Sequence, residues 1–328
     1  MANIQPLNAT FYAFRKRDKG GALLGTTLAY LVLLVVIAGV FIWLNLSSIQ
    51  AVSAWYMNMI QQAAQSGGPP DFSTMPQSIA TLGGAYFLFV FVLYLLLAAY
   101  EAACLRWMVR GERGGLLGLS LGADTWRVWL GYWIWLLILI GFYIFVLLTL
   151  AVSGGAIAVA AGGKGGNTAP AIIGAVVAFL LAGAACIYVS VRLAPGAATS
   201  IIAKRFAMFS AWGATRGRFW ALLGSFVLIW LLYLVAILVI EFIIGATMAG
   251  TMMGTMAGLG PNPDPSAVIG AVMSPVTLAL FVLIYVLVLA VAMVFVIALF
   301  GVNARAALAA AEEGKIPGVE PPQAAVFN

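Results

Sequence analysis

Six long apolar runs decide what this chain can fold into. They extend from Ala22 to Leu46, Ile79 to Ala103, Val128 to Val152, Pro170 to Val191, Phe219 to Gly245 and Pro275 to Gly301. A helix needs about 20 mostly apolar residues to cross about 30 Å of hydrocarbon, and every run is long enough. Hydrocarbon offers the backbone no hydrogen-bond partner, so such runs predict helices whose bonds close within the segment. Charged residues make up only 8% of the chain, against about a quarter in soluble domains whose surface stays wet. The expectation is an all-α membrane protein with six transmembrane helices. Residues 1–21 read as an N-terminal interfacial segment, 22–315 as the six-helix domain and 316–328 as a mobile tail.

The first run follows Arg15, Lys16, Arg17 and Lys19, as a signal peptide would. It is longer than a signal's apolar core, however, and Asn45 to Gln50 offers no small-residue cleavage site, so it reads as a retained span.

The 16 Lys and Arg residues orient the spans. Four precede the first. Arg106, Arg110, Arg113 and Arg127 lie between the second and third. Arg192, Lys204, Arg205, Arg216 and Arg218 lie between the fourth and fifth, and Arg305 and Lys315 follow the sixth. Only Lys164 falls on the other side, where the stretches 47–78 and 246–274 carry no basic residue. The positive-inside rule predicts both termini in the cytoplasm. The net charge of +6 is therefore topological. It points to anionic lipid headgroups as partners and lends no support to a nucleic-acid partner.

Histidine is absent, which removes His-ligated haem and zinc and the Ser-His-Asp triad together. Cys104 and Cys186 fall at the cytoplasmic ends of spans, where lone thiols read as packing residues. No phosphate-binding glycine loop, paired carboxylates or metal cluster stands out. No cofactor and no catalytic activity are expected.

The lead-ins to the odd-numbered spans resemble one another. Gly122-Ala123-Asp124-Thr125-Trp126-Arg127-Val128-Trp129 and Gly213-Ala214-Thr215-Arg216-Gly217-Arg218-Phe219-Trp220 share Gly, Ala, Arg and Trp at a constant shift. Ala22-Leu23-Leu24-Gly25 recurs as Ala221-Leu222-Leu223-Gly224. This suggests three two-helix repeats, all parallel because each begins in the cytoplasm, unlike the inverted repeats of many transporters. Residues 8–17, 104–121 and 199–212 before the hairpins mix aromatic, apolar and cationic residues. They read as interfacial amphipathic segments, 104–121 being the most irregular.

Several residues invite a functional reading. Trp126, Trp129 and Trp133 share a helix face and suit an interfacial belt running into a helix contact better than an aromatic ligand box. Glu101 and Glu241 are carboxylates within spans, functional candidates by default. Both lie near span ends, and Arg106 and Arg192 share the layer of Glu101 as potential ion-pair partners. No span has a charge at its midpoint, which counts against ion-coupled transport. After span five the tetrads beginning at Thr247, Thr251 and Thr255 would align Gly250, Gly254 and Gly258 on one helix face. Met248, Met252 and Met256 fall on the next. The glycines suit close helix contact. The thioethers read as an adaptable apolar surface rather than a Cu(I) site, since no Cys or His is nearby. The Ala-rich stretch Val302 to Glu313 favours helix, stopped by Gly314 and Pro317.

The run Val191-Arg192-Leu193-Ala194-Pro195, with Trp212-Gly213-Ala214-Thr215-Arg216-Gly217-Arg218-Phe219-Trp220, resembles bacterial six-helix membrane proteins of unassigned role. These are similar to the membrane domain accompanying some glycerophosphodiester phosphodiesterases. The resemblance marks Arg192, Pro195, Gly217, Arg218 and Trp220 as folding and anchoring positions and implies a bacterial inner membrane. It carries over no catalytic residue, because these 328 residues hold no counterpart of the soluble domain and its metal site.

The expected role is a non-catalytic accessory or scaffolding component whose partners are membrane lipids and other integral membrane proteins or itself. The rival is a transporter or lipid-handling protein with a cavity between hairpins and Glu241 near its outer mouth. Orientation can be checked directly with Cys104 and Cys186 replaced by alanine. An impermeant maleimide should then label Ser73→Cys in intact cells and Gln323→Cys only after permeabilisation; the reverse pattern inverts the topology.

Overall fold

The computed structural model describes residues 6–15, 22–66, 75–115, 117–162, 169–259 and 275–319. Six long helices account for most of them: α3 (Ala22–Ser66), α4 (Ser78–Arg110), α5 (Ala123–Gly162), α6 (Ala169–Leu193), α9 (Phe219–Leu259) and α10 (Pro275–Glu312). Four short ones, α1 (Pro6–Thr10), α2 (Tyr12–Arg15), α7 (Gly196–Ile202) and α8 (Ser210–Ala214), complete the set. Each long helix is apolar and long enough to cross a membrane. The chain is an all-α, six-helix membrane protein.

The helices outrun the apolar segments that define them. With 45 residues rising about 1.5 Å each, α3 extends about 68 Å, more than twice a hydrocarbon core of about 30 Å. The stretches 47–78 and 246–274, read from sequence as loops, are helical as far as Ser66 and Leu259. Nothing between Ser47 and Ser66 breaks a helix; Gly67, Gly68, Pro69 and Pro70 follow. The polar side chains are absorbed by the turn before them. Asn45 donates to the Phe41 carbonyl (2.9 Å) and Ser53 to that of Ile49 (2.8 Å).

The chain divides into two compact units. One comprises Asp18–Gly183 with Lys204–Phe206; the other comprises Met1–Arg17, Ala184–Ala203 and Ala207–Asn328. In the first, α4 packs along both α3 and α5. In the second, α9 pairs with α10, and α1, α2, α7 and α8 gather on that pair. Spans one and two, and five and six, thus pack as hairpins. Spans three and four do not match them: α5 lies chiefly along α4.

Burial is concentrated where the arginines lie. In the first unit the last turns of α4, from Ala98 to Met108, are enclosed on all sides. In the second, Val191 of α6, Leu222 and Ile229 of α9 and Val302, Ala306 and Ala309 of α10 form one cluster. Elsewhere the apolar windows of the spans stay largely uncovered, at most 17% of any window being buried.

The N-terminal segment shows how small residues build the second core. Ala9 joins the α9–α10 cluster. Ala13 sits so close to Gly301 that a Cβ added there would lie 2.9 Å from the Ala13 Cβ and 3.0 Å from its backbone nitrogen. Phe11 and Phe14 stay exposed, as an interfacial segment requires. The residues preceding span one therefore pack on spans five and six. Residues 199–212, read as one amphipathic stretch, form α7 and α8, with the left-handed Lys204 (φ +51°) between them. Val302 to Glu313 is no separate element, because α10 runs unbroken to Glu312. Gly314 (φ +66°) then ends it. Lys315 N–H reaches the Ala310 carbonyl (2.8 Å) and Gly314 N–H that of Ala311 (3.0 Å), the paired bonds of a Schellman stop. Ile316, placed from sequence in a mobile tail, is buried against Ala214, Ala310 and Ala311.

Gly301→Leu should push the N-terminal helices off α10 and cost about 1–3 kcal/mol, the usual penalty of overpacking. Thermal unfolding in detergent would register this as a lower midpoint, and proteolysis as earlier cleavage before Ala22.

Candidate functional site

In the first unit the basic end holds a layer of polar side chains built into otherwise apolar helices. Thr27 of α3 donates to the Leu23 carbonyl (2.6 Å). Its single hydrogen is then used, so the Tyr100 hydroxyl of α4, 2.8 Å away, is the donor between the two. The Tyr100 ring stacks on Tyr30 with centroids 4.5 Å apart. One residue on, the buried Glu101 carboxyl accepts from the Tyr132 hydroxyl of α5. Three helices are thus cross-linked within one helical turn. Side-chain bonds of this kind contribute about 0.6–2 kcal/mol each in membranes.

Arg106, at the end of α4, turns onto the following loop and donates to the Gly118 carbonyl (3.0 Å). Thr26 of α3 donates to the neighbouring Leu117 carbonyl (2.7 Å), so the loop is held from two helices. Glycine is required at 118: its φ is +92°, and a Cβ would lie 2.5 Å from the Thr26 Oγ1. Asp124, in the first turn of α5, receives both Arg110 and Arg127, the latter at 2.6 Å. A carboxylate there also meets the positive end of the helix dipole. Below this layer Trp126, Trp129 and Trp133 form an edge-to-face series at 5.5 and 5.6 Å. Phe91 of α4 packs on Trp129 at 5.4 Å, so the tryptophan face is a helix contact.

A groove of about 840 Å³ runs between α3 and α4 beside this layer. Leu28 and Val32 of α3, Leu95 and Leu96 of α4, and Leu117 and Leu121 of the loop are among its walls. It is apolar apart from Ser120.

The second unit has its own polar clasp. Arg192, ending α6, donates to the Tyr188 hydroxyl (3.0 Å) one turn earlier, to the Trp212 carbonyl (3.4 Å) and to Thr215 (3.3 Å). Its guanidinium also lies over the Tyr188 and Trp212 rings, at 5.2 and 5.4 Å. Arg218, buried at the start of α9, pairs with Glu313 beyond α10, which Lys315 also reaches at 2.8 Å.

Of the candidates from sequence, Glu101 lies in the first layer, and Arg192 and Arg218 in the second clasp. The ion pair expected between Glu101 and Arg106 is not formed. Tyr132 satisfies the carboxyl, and Arg106 bonds to the loop instead. Trp220 is 78% exposed and touches Phe219 edge-on at 5.2 Å. Glu241 is exposed on α9, away from any polar cluster among the described residues. The helical backbone passes through the tetrads, but the side chains of Met248, Met252 and Met256, and Gly258, lie outside the described set. Sequence reading missed Thr26, Thr27, Tyr100, Tyr132 and Gly118. Hydroxyl-bearing residues inside apolar runs were the available signal.

Matching lead-ins serve different contacts. Arg127 and Arg218 correspond by position, yet Arg127 pairs within its own helix and Arg218 with Glu313, 95 residues on. Tyr132→Phe should cost about 1–3 kcal/mol by leaving the Glu101 carboxyl buried without a donor. Glu101→Gln, which keeps an acceptor for Tyr132, should cost less. Equal unfolding midpoints for the two variants would show that this bond holds nothing.

Compared with known proteins, the chain matches no family model, no curated protein and no solved structure.

Proposed function

We propose that the chain is a non-catalytic, multi-pass component of the bacterial inner membrane, with its basic ends in the cytoplasm. Its role is to hold other membrane helices, its own copies or a partner's, as an accessory or scaffold. The supporting observation is the state of its small-residue positions. Beyond the basic ends, a Cβ placed at Gly39, Gly83, Gly84 or Gly141 would meet nothing within 4 Å, and the same holds at Gly245, Gly250 and Gly254. Glycine weakens a helix by about 1 kcal/mol relative to alanine. It is useful in a span when another backbone approaches closely. The described glycines that do make close approaches, Gly118, Gly196 and Gly301 among them, lie at the basic ends. The open ones are therefore suited to helices from outside this chain. The lead-in around Arg192 and Arg218, which resembles that of six-helix membrane proteins of unassigned role, accords with a structural part.

The rival reading, a transporter or lipid-handling protein, draws on one feature, the apolar groove between α3 and α4. Glu241 gives it less support, standing exposed on α9.

Scaffolding predicts that the protein leaves mild detergent as a complex of defined mass. Gly250→Leu with Gly254→Leu should reduce that mass to the single chain while leaving its unfolding midpoint unchanged. A monomer in the unsubstituted protein removes the proposal. Solute or lipid flux in reconstituted vesicles, abolished by Glu241→Gln, would favour the rival.

A further inference from the structure

We infer that the second unit is seated in an anionic lipid headgroup layer by two short elements at its basic end, α2 and α8, which turn their aromatic side chains away from the protein. Both pack on α10, and both do so through their smallest residues. Ala13 of α2 is 2% exposed and lies against Gly301, whereas Phe14 beside it is 48% exposed. In α8, Ala211 and Ala214 are fully buried, the latter on Ala310 and Ala311, whereas Phe209 at its start is 61% exposed. Phe11 and Trp212 face outward as well.

Water would select the opposite arrangement. A phenylalanine ring takes far more apolar surface out of water than an alanine methyl does. An element whose outer face is wet therefore buries the ring and exposes the methyl. The inverted order suits an outer face that meets lipid, where aromatic rings settle at the level between acyl chains and headgroups. Alanine on the inner face then serves a different purpose, letting each short element lie close on α10.

The outward face of α8 continues onto a helix long and apolar enough to cross the membrane. Trp212 packs on Tyr188 of α6 with centroids 5.7 Å apart, Tyr188 on Phe219 at 5.2 Å, and Phe219 on Trp220 at 5.2 Å. Trp220 is the second residue of α9 and faces outward. The surface at Trp220, where an apolar span begins, belongs to the bilayer, and four rings in contact carry that surface back to α8.

The charges select the headgroup. Arg15, next to Phe14, is exposed, and its side chain bonds to the neutral oxygen of Asn8. Arg216, four residues after Trp212, is exposed and has no carboxylate partner among the described residues. Residues 1–17 and 125–240 contain no acidic residue. The carboxylates at the end of α10 are already engaged: Glu312 by Arg305 at 3.4 Å, and Glu313 by Arg218 and Lys315. Rings and exposed cations on the same elements match a layer of anionic phosphates.

Seating of this kind does not depend on whether the chain scaffolds or transports. Spin labels at Phe14→Cys and Phe209→Cys test it, in the full chain with Cys104 and Cys186 replaced by alanine and held in nanodiscs of mixed phosphatidylglycerol and phosphatidylcholine. Both labels should collide with oxygen dissolved in the bilayer more often than with a water-soluble nickel chelate, and a label at Gln323→Cys should do the reverse. If either variant fails to elute as the unsubstituted protein does, Phe11→Cys or Gly213→Cys takes its place. Labels open to the nickel chelate would put the rings in water, and labels shut off from both reagents would put them under protein; either result overturns the seating. Hydrogen exchange of the unsubstituted chain tests the headgroup. Residues 8–15 and 209–216 should exchange more slowly in the mixed nanodiscs than in phosphatidylcholine alone. Arg15→Gln and Arg216→Gln should each reduce that slowing about fivefold in its own segment, the effect of one arginine at an anionic surface. Equal exchange in the two lipids, or slowing unmoved by both substitutions, overturns the anionic headgroup.

Discussion

Apolar helices in a bilayer gain almost nothing by turning from lipid to one another, because the acyl chains they leave are as apolar as the leucines they meet. Everything that holds this chain together follows from that constraint. Cohesion has to come from hydrogen bonds that lipid cannot offer and from approaches too close for lipid to fill. Both are found where the arginines lie. There Thr27, Tyr100, Glu101 and Tyr132 join three helices, and Gly301 lets Ala13 settle against α10. Away from those ends the spans are long, apolar and sparsely covered.

The same constraint bears on an arginine in the last turns of each even-numbered long helix, which bonds to groups at or beyond the helix end. Arg106 fastens the loop after α4. Arg192 grips the carbonyl end of α8, where a cation complements the helix dipole. Arg305, near the end of α10, reaches Glu312 at 3.4 Å. These arginines give the ends their charge and shape the loops by their hydrogen bonds. A lysine would keep the first property and lose much of the second, since it lacks the planar fork that serves two acceptors at once. The groove between α3 and α4 is a by-product of the same scheme. Loop and helices are tied at their ends, and an apolar trough opens below the tie.

The two lead-ins show that similar sequences can make different contacts. The lead-ins to α5 and α9 share Gly, Ala, Arg and Trp. Yet Trp129 stacks within an aromatic series, whereas Trp220 faces outward. Small differences nearby account for this. Asp124 gives Arg127 a local partner, but the corresponding position is Thr215, so Arg218 finds its carboxylate on Glu313.

The number of spans, their helical form and the side on which charge collects were legible in the sequence, because the bilayer imposes each through a local rule of length, hydrogen bonding or charge. Gly314 as a helix stop was legible for the same reason: its left-handed φ acts within one turn. Tertiary structure alone decided which residues pair. Nothing local says that Glu101 takes Tyr132 rather than Arg106, that Ala13 meets Gly301, or that α5 lies along α4. Those choices depend on how closely helices far apart in sequence approach. In a membrane that is set by a few glycines and hydroxyls scattered among residues that look alike to lipid.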